Sequence, residues 1–206
     1  ADPYPLAETA QKLADWIREV DPTRPVTANL VIPSVSFFSG YSDALDVVGL
    51  SYRNIVYDYI HELYPEKMIF GTENWGSWYE WKPALERDFI PGIFLWTGIN
   101  YLGETSTRLR RGSGSGLMDF AGFKKPRYHM YKTLWNKDPH VFMNTVKLGE
   151  SDFLWDEERR RVDYREKDGW KYYRWGWQPF NYHWNYQKGD STVVEVFTNQ
   201  DQVELF

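Results

Sequence analysis

The sequence contains no cysteine, which excludes disulfides and thiolate metal sites and leaves the redox compartment open. No apolar stretch approaches the roughly 18 residues of a helical membrane span. An excess of positive charge is missing as well: 24 Lys and Arg stand against 29 Asp and Glu, a net charge of −5, which argues against nucleic acid, whose phosphates call for a basic surface. The histidines His61, His129, His140 and His183 have no metal-ligand spacing. Neither a phosphate loop nor a dinucleotide fingerprint occurs, so no cofactor is expected. There is no internal repeat and no visible signal peptide, and the latter carries no weight where a true N-terminus lies upstream.

What the chain does have is apolar mass and aromatic rings. Hydrophobic residues make up 42%, enough for a sizeable core, so global disorder is out. Phe, Trp and Tyr together reach 18%, with 11 Trp. Such an excess fits flat faces that stack on the C–H faces of sugar rings, and it also fits a large aromatic core.

The pattern along the first 135 residues alternates between the two periods. Pro5 to Val20 reads as an amphipathic helix with Leu6, Leu13, Ile17 and Val20 on one face, opened by Pro5 and stopped by Asp21-Pro22. Pro25–Val31 and Asp46–Tyr52 read as strands, the second apolar throughout, as in a strand covered on both faces. Residues 54–64 return to helical spacing. Lys67–Thr72 and Gly92–Thr97 are the third and fourth strands, with a short helix at Lys82–Phe89 between them and a last one at Lys125–Trp135. Alternating βα units predict a parallel sheet with helices outside. Four strands make half of a (β/α)8 barrel, which typically needs about 250 residues.

Beyond Val141 helical spacing stops. A charge run at 156–168 leads into an aromatic tract (Trp170, Tyr172, Tyr173, Trp175, Trp177, Phe180, Tyr182, Trp184, Tyr186), and two alternating runs, Val193–Thr198 and Gln202–Phe206, read as strands. The expected fold is α/β: the second half of a TIM barrel over 1–140, then a linker and the beginning of a β-sandwich over 141–206.

Chemistry concentrates at strand ends. Glu73 closes the apolar run Met68-Ile-Phe-Gly-Thr-Glu73-Asn-Trp75, and Trp96 ends Gly92-Ile-Phe-Leu-Trp96. Carboxyl ends of barrel strands are where such folds hold catalytic groups. A lone strand-end glutamate is by itself an ordinary loop residue, but it does not stand alone. Tyr52 ends the preceding strand in Gly-Leu-Ser-Tyr, and Gly116-Leu-Met-Asp-Phe-Ala-Gly-Phe-Lys-Lys-Pro-Arg-Tyr-His-Met-Tyr131 precedes Leu134-Trp135. In wording and order these segments resemble the β-galactosidase branch of glycoside hydrolase family 2.

The resemblance implies retaining hydrolysis of terminal β-galactosides. Glu73 would be the nucleophile and Tyr52 the hydroxyl that steadies its charge. Trp96 would floor the sugar pocket, and Asn74, Trp75 and Asn100 would neighbour the substrate. A retaining enzyme needs a second carboxyl roughly 5 Å from the first. In the family that acid/base is the Glu of an Asn-Glu pair, and no such pair occurs in the 206 residues, so the chain is expected to lack half of its chemistry. Glu104, eight residues past Trp96, is the alternative acid and more readily a structural loop residue.

The chain also departs from the family's pattern. Asn100 stands where close relatives carry Asp, which removes a charge. The histidine that often follows the nucleophile is replaced in Glu73-Asn-Trp-Gly-Ser-Trp. These changes keep a β-glucuronidase or β-mannosidase of the same family open, while the aromatic excess and the absent acid keep open a non-catalytic carbohydrate-binding protein. Arg108, Arg110 and Arg111 lie among flexible glycines, either gripping a sulfate or carboxylate on the substrate or forming a solvated surface loop. The aromatic tract is either a platform for an oligosaccharide or packing between domains.

Overall fold

The computed structural model describes residues 5–105, 111–164 and 180–205. These fall into two compact units, Ala1–Trp96 and Thr97–Phe206.

The first unit is a four-stranded parallel sheet in the order β1 (Thr27–Leu30), β2 (Val47–Ser51), β3 (Met68–Trp75), β4 (Ile93–Trp96). Every residue of β2 is buried, as its unbroken apolar run requires. The core gathers Val26, Leu30, Val48, Leu50, Tyr57, Ile60 and Ile69 around it. Asp46, at the foot of β2, joins three segments. One of its oxygens accepts from Arg18 Nη2 at 3.0 Å and the other from the Val26 backbone N–H at 2.8 Å. The Val26 bond and the nearby cation hold its carboxyl below the usual carboxylate range.

Helix α1 (Pro5–Val20) has the expected bounds, but its buried seam is narrower than its apolar face. Ala10 and Ala14, whose small side chains permit close approach, are buried against the turn at Tyr41–Ala44. Leu6 remains 71% exposed and Val20 87%. A short α2 (Pro33–Phe38), unassigned from the sequence, starts on a proline and ends at Gly40, whose φ of 78° suits glycine. The helical run at 54–64 divides into a 3-10 turn, Asn54–Val56, and α3 (Tyr57–Leu63).

Helix α4 (Trp78–Leu85) begins four residues before the expected Lys82 and carries Pro83 inside it. Proline has no N–H to give the carbonyl four residues back. Here that carbonyl, Tyr79 O, accepts from Asn54 Nδ2 at 3.0 Å, so a side chain makes good the missing bond.

The second unit holds a small antiparallel pair, β5 (Tyr101–Leu102) with β6 (Gly112–Ser113), then helix α5 (Pro126–Trp135). Past residue 140 the described residues form two separate antiparallel pairs. Strand β7 (Val141–Lys147) pairs along its whole length with β10 (Thr192–Thr198). The start of the charge run supplies the turn and second strand of a hairpin, β8 (Phe153–Asp156) with β9 (Arg161–Tyr164). The strand expected at 202–206 does not form over its described residues, 202–205. Alternation favours extended backbone, but a strand needs a partner for its ladder, and residues 202–205 have none among the described residues. Most of the aromatic tract lies outside the described residues. Of its visible members, Phe180 joins Val146 and Val193 in a small core, and the Tyr186 hydroxyl donates to Thr145 Oγ1 at 2.7 Å.

Candidate active site

Four parallel strands place their carboxyl ends side by side, and the polar residues of interest in the first unit sit there. Asn29 is one residue from the end of β1, Tyr52 directly follows β2, Glu73 lies near the end of β3, and Trp96 closes β4. The strand carrying Glu73 runs on to Trp75, past the expected end at Thr72. It also contains a bulge. Gly71 faces Leu50 and Glu73 faces Ser51, so β3 takes two steps where β2 takes one; against β4, Gly71 pairs with Ile93 and Asn74 with Leu95. The extra residue breaks the strict alternation of side chains and lets Thr72 and Glu73 both approach the same neighbour.

That neighbourhood holds the Glu73 carboxylate at both oxygens. The Tyr52 hydroxyl donates to Oε1 at 2.8 Å, and Asn29 Nδ2 donates to Oε2 at 2.6 Å. Tyr52 is itself held by two contacts, with its backbone in the left-handed region. Its backbone N–H donates to Glu73 O at 2.8 Å, its ring lies 4.6 Å from that of Trp75 at 33°, and its φ is +52°. The left-handed region is sparsely populated by bulky residues, and an outlier held there by its surroundings is a mark of a functional position.

Trp75 thus acts as backing for Tyr52, and it pairs in register with Trp96. Asn74, expected from the sequence to bind substrate, lies inside the sheet. Its side chain is fully buried and donates from Nδ2 to Phe94 O at 3.1 Å, tying β3 to β4. Gly71 makes room for it: a Cβ there would come within 2.7 Å of Asn74 Nδ2 and 2.6 Å of the Tyr57 hydroxyl.

In the second unit, Asn100 has its acceptor occupied from within the chain. Oδ1 takes the Gly116 backbone N–H at 3.1 Å and Lys125 Nζ at 3.0 Å. Lys125 is half-buried and near Arg127, and partial loss of water and then that like charge push its amine down to about 8. The Glu104 carboxylate accepts the Tyr101 hydroxyl and its backbone is left-handed, with φ 45°. Arg111 is exposed, while Arg108 and Arg110 lie outside the described residues. Among the described residues no group of three or more His, Cys, Asp or Glu side chains is arranged to hold a metal ion, and no helix is long and apolar enough to cross a membrane.

Asn29 is the site residue that sequence reasoning missed. It stands in Pro25-Val-Thr-Ala-Asn-Leu, one position before the last of an ordinary short strand. The one available signal was its place near the carboxyl end of a parallel strand, shared with Tyr52 and Glu73.

The fold and site define an α/β protein with a braced carboxylate at the carboxyl ends of parallel strands. Comparison with known proteins narrows this class. The chain is 28% identical to a β-galactosidase of Bacteroides ovatus over 61% of its own length and 20% of that protein. It is 26% identical, over 61% of its length and 9% of the other, to a putative β-glucuronidase of Formosa agariphila. Its fold matches a glycosyl hydrolase family 2 member from Bacteroides cellulosilyticus with a TM-score of 0.73 at 22% identity, covering 94% of this chain and 25% of that one. No family model matches the chain. The resemblance to glycoside hydrolase family 2 is therefore present in both sequence and fold. The chain spans about a quarter or less of each of these relatives.

Proposed function

We propose that this chain is the second half of the catalytic (β/α)8 barrel of a retaining family 2 glycosidase, residues 1–140, with the beginning of a following β-sandwich domain in 141–206. Glu73 attacks the anomeric carbon. The bond from that carbon to the leaving-group oxygen breaks, the oxygen leaves with the electron pair and receives a proton, and water then releases the sugar from Glu73. The proton donor is a carboxylic acid on another strand of the full-length protein. The observation that carries this reading is the Glu73 carboxylate, held at each oxygen by a neutral donor at the carboxyl ends of parallel strands.

Two features of the first unit support the half-barrel. Among the described residues β1 and β4 are each paired on one side only, and Leu6, Trp16 and Val20 on the apolar side of α1 are exposed, as in a sheet that closes on further strands and helices. The substrate favoured is a terminal β-galactoside, in line with the Bacteroides ovatus relative. Trp96 is read as part of the sugar pocket floor, and Arg108, Arg110 and Arg111 as contacts to an anionic group on the polysaccharide. The second reading, a β-glucuronidase, draws on the Formosa agariphila relative and on the same arginines.

A panel of aryl β-galactosides, glucuronides and mannosides tests both on the full-length protein. The galactoside is expected to be cleaved fastest, with Glu73→Gln abolishing turnover. Fastest cleavage of the glucuronide transfers the assignment to the second reading. No cleavage of any sugar, with retained carbohydrate binding, replaces the enzyme by a binding protein.

A further inference from the structure

The side chain that meets Glu73 from β1 crosses the whole width of β2 to do so. In register, Asn29 stands opposite Gly49. A Cβ at Gly49 would lie 2.2 Å from Ala28 O and 2.5 Å from Thr72 Cγ2, so glycine is required, and the missing side chain is what lets Asn29 and Thr72 meet above β2. There the Thr72 hydroxyl donates to Asn29 Oδ1 at 2.8 Å. An amide has one acceptor end and one donor end. With the oxygen engaged by Thr72, the Nδ2 end is turned to Glu73 Oε2 at 2.6 Å.

Resting on the reading of Glu73 as nucleophile, we infer that Asn29 is a positioning residue of this site, its amide oriented by Thr72 across Gly49 so that it fixes the rotation of the nucleophilic carboxylate from the side opposite Tyr52. One donor on each oxygen stops the carboxylate from turning about its own bond, and each oxygen keeps a lone pair free to bond to carbon. A neutral amide gives this restraint without cancelling the charge that attacks, as an ammonium group in the same place would. Orientation of a reacting group is worth a large share of a barrier, and the bond itself is a hydrogen bond to a charged acceptor.

The test compares Asn29→Ala, Asn29→Asp and Thr72→Val in the full-length protein, on its best aryl glycoside. Asn29→Ala is expected to lower kcat about ten- to a hundredfold, with KM changed no more than about twofold. Asn29→Asp keeps the shape and the Thr72 acceptor but sets a second carboxylate against the first. It is expected to be the worst of the three at neutral pH, and its activity relative to the unsubstituted protein rises as pH falls from about 7 toward about 5, because a proton shared by the pair restores a donor. Thr72→Val, which frees the amide to turn, is expected to lose several-fold.

Neutral-pH activity of Asn29→Asp equal to that of the unsubstituted protein overturns the inference, since shape alone would then suffice. If Asn29→Ala does not fold, the isosteric Asn29→Asp still decides. The nucleophile reading is checked apart from this. A 2-fluoro glycoside that labels a residue other than Glu73 in the unsubstituted protein overturns that reading, whatever the variants do.

Discussion

At the scale of single residues, the role proposed for Tyr52 sets a strained backbone against a well-placed hydroxyl. Its left-handed backbone, with φ +52°, costs the fold something, and what it brings is a hydroxyl 2.8 Å from Glu73. Tyr52→Phe keeps the ring against Trp75 and removes only that donor. A hydrogen bond to a charged group is worth roughly 1.5–3 kcal/mol, so the rate on an aryl glycoside is expected to fall about ten- to a hundredfold at unchanged thermal stability. Full activity in Tyr52→Phe would make the residue core packing alone. Glu195 is a different case, a carboxyl within the β7–β10 pair that accepts from Asn144 Nδ2 at 3.4 Å. Burial pushes it up to about 7, against the Asn144 bond, which pulls it down. A carboxyl raised in the folded state is neutral there while the unfolded chain ionises it. Its contribution to stability is therefore full below the ordinary Glu range near 4.3 and is lost as pH rises to about 7. Glu195→Gln is expected to unfold later at neutral pH, by ~1–3 kcal/mol, and to flatten stability between those limits. Denaturant titrations at pH about 4 and about 7.5 check this; equal gains at both pH values would contradict it.

At the scale of elements, β2 and β3 carry the site because small residues let neighbouring strands close up. Gly49→Ala would drive a methyl into Ala28 O, a backbone atom 2.2 Å away, and is expected to destabilise the first unit by ~1–3 kcal/mol or more while also separating Asn29 from Thr72. Denaturation midpoints and aryl glycoside rates should fall together; an unchanged midpoint would show that β1 and β2 yield easily. Much of this layer was legible in the sequence. The bounds of α1 followed from Pro5 and Asp21-Pro22, the buried β2 from its unbroken apolar run, and Tyr52 and Glu73 from their places at strand ends. What could not be read depends on partners distant in sequence. The bulge that admits Thr72 is a mismatch between strands, visible only once β3 is laid against β2 and β4. The early start of α4 at Trp78, which puts Pro83 inside the helix, goes with an Asn54 side chain that answers Tyr79 O from 25 residues away. β7 carried no marked alternation and is a strand because β10 pairs with it. Asn29 is a common residue in a common strand, made special by a glycine opposite.

At the scale of the whole molecule, the proposed function gives this chain a nucleophile without its acid. The 206-residue chain alone is expected to hydrolyse unactivated galactosides negligibly, since general acid help is typically worth about 10²–10⁴-fold and the rest of the proposed barrel supplies further binding surface. Robust turnover of a disaccharide by the chain alone would break this expectation and bring Glu104 forward as the acid. The central claim is that Glu73 forms the covalent bond to sugar, and it is tested most directly by trapping that bond. A 2-deoxy-2-fluoro β-galactoside with a good leaving group slows release of the glycosyl-enzyme, so the full-length protein should gain the mass of one fluorosugar, and peptide mapping should place it on Glu73. A label on any other residue, or turnover that survives in Glu73→Gln, would contradict the account.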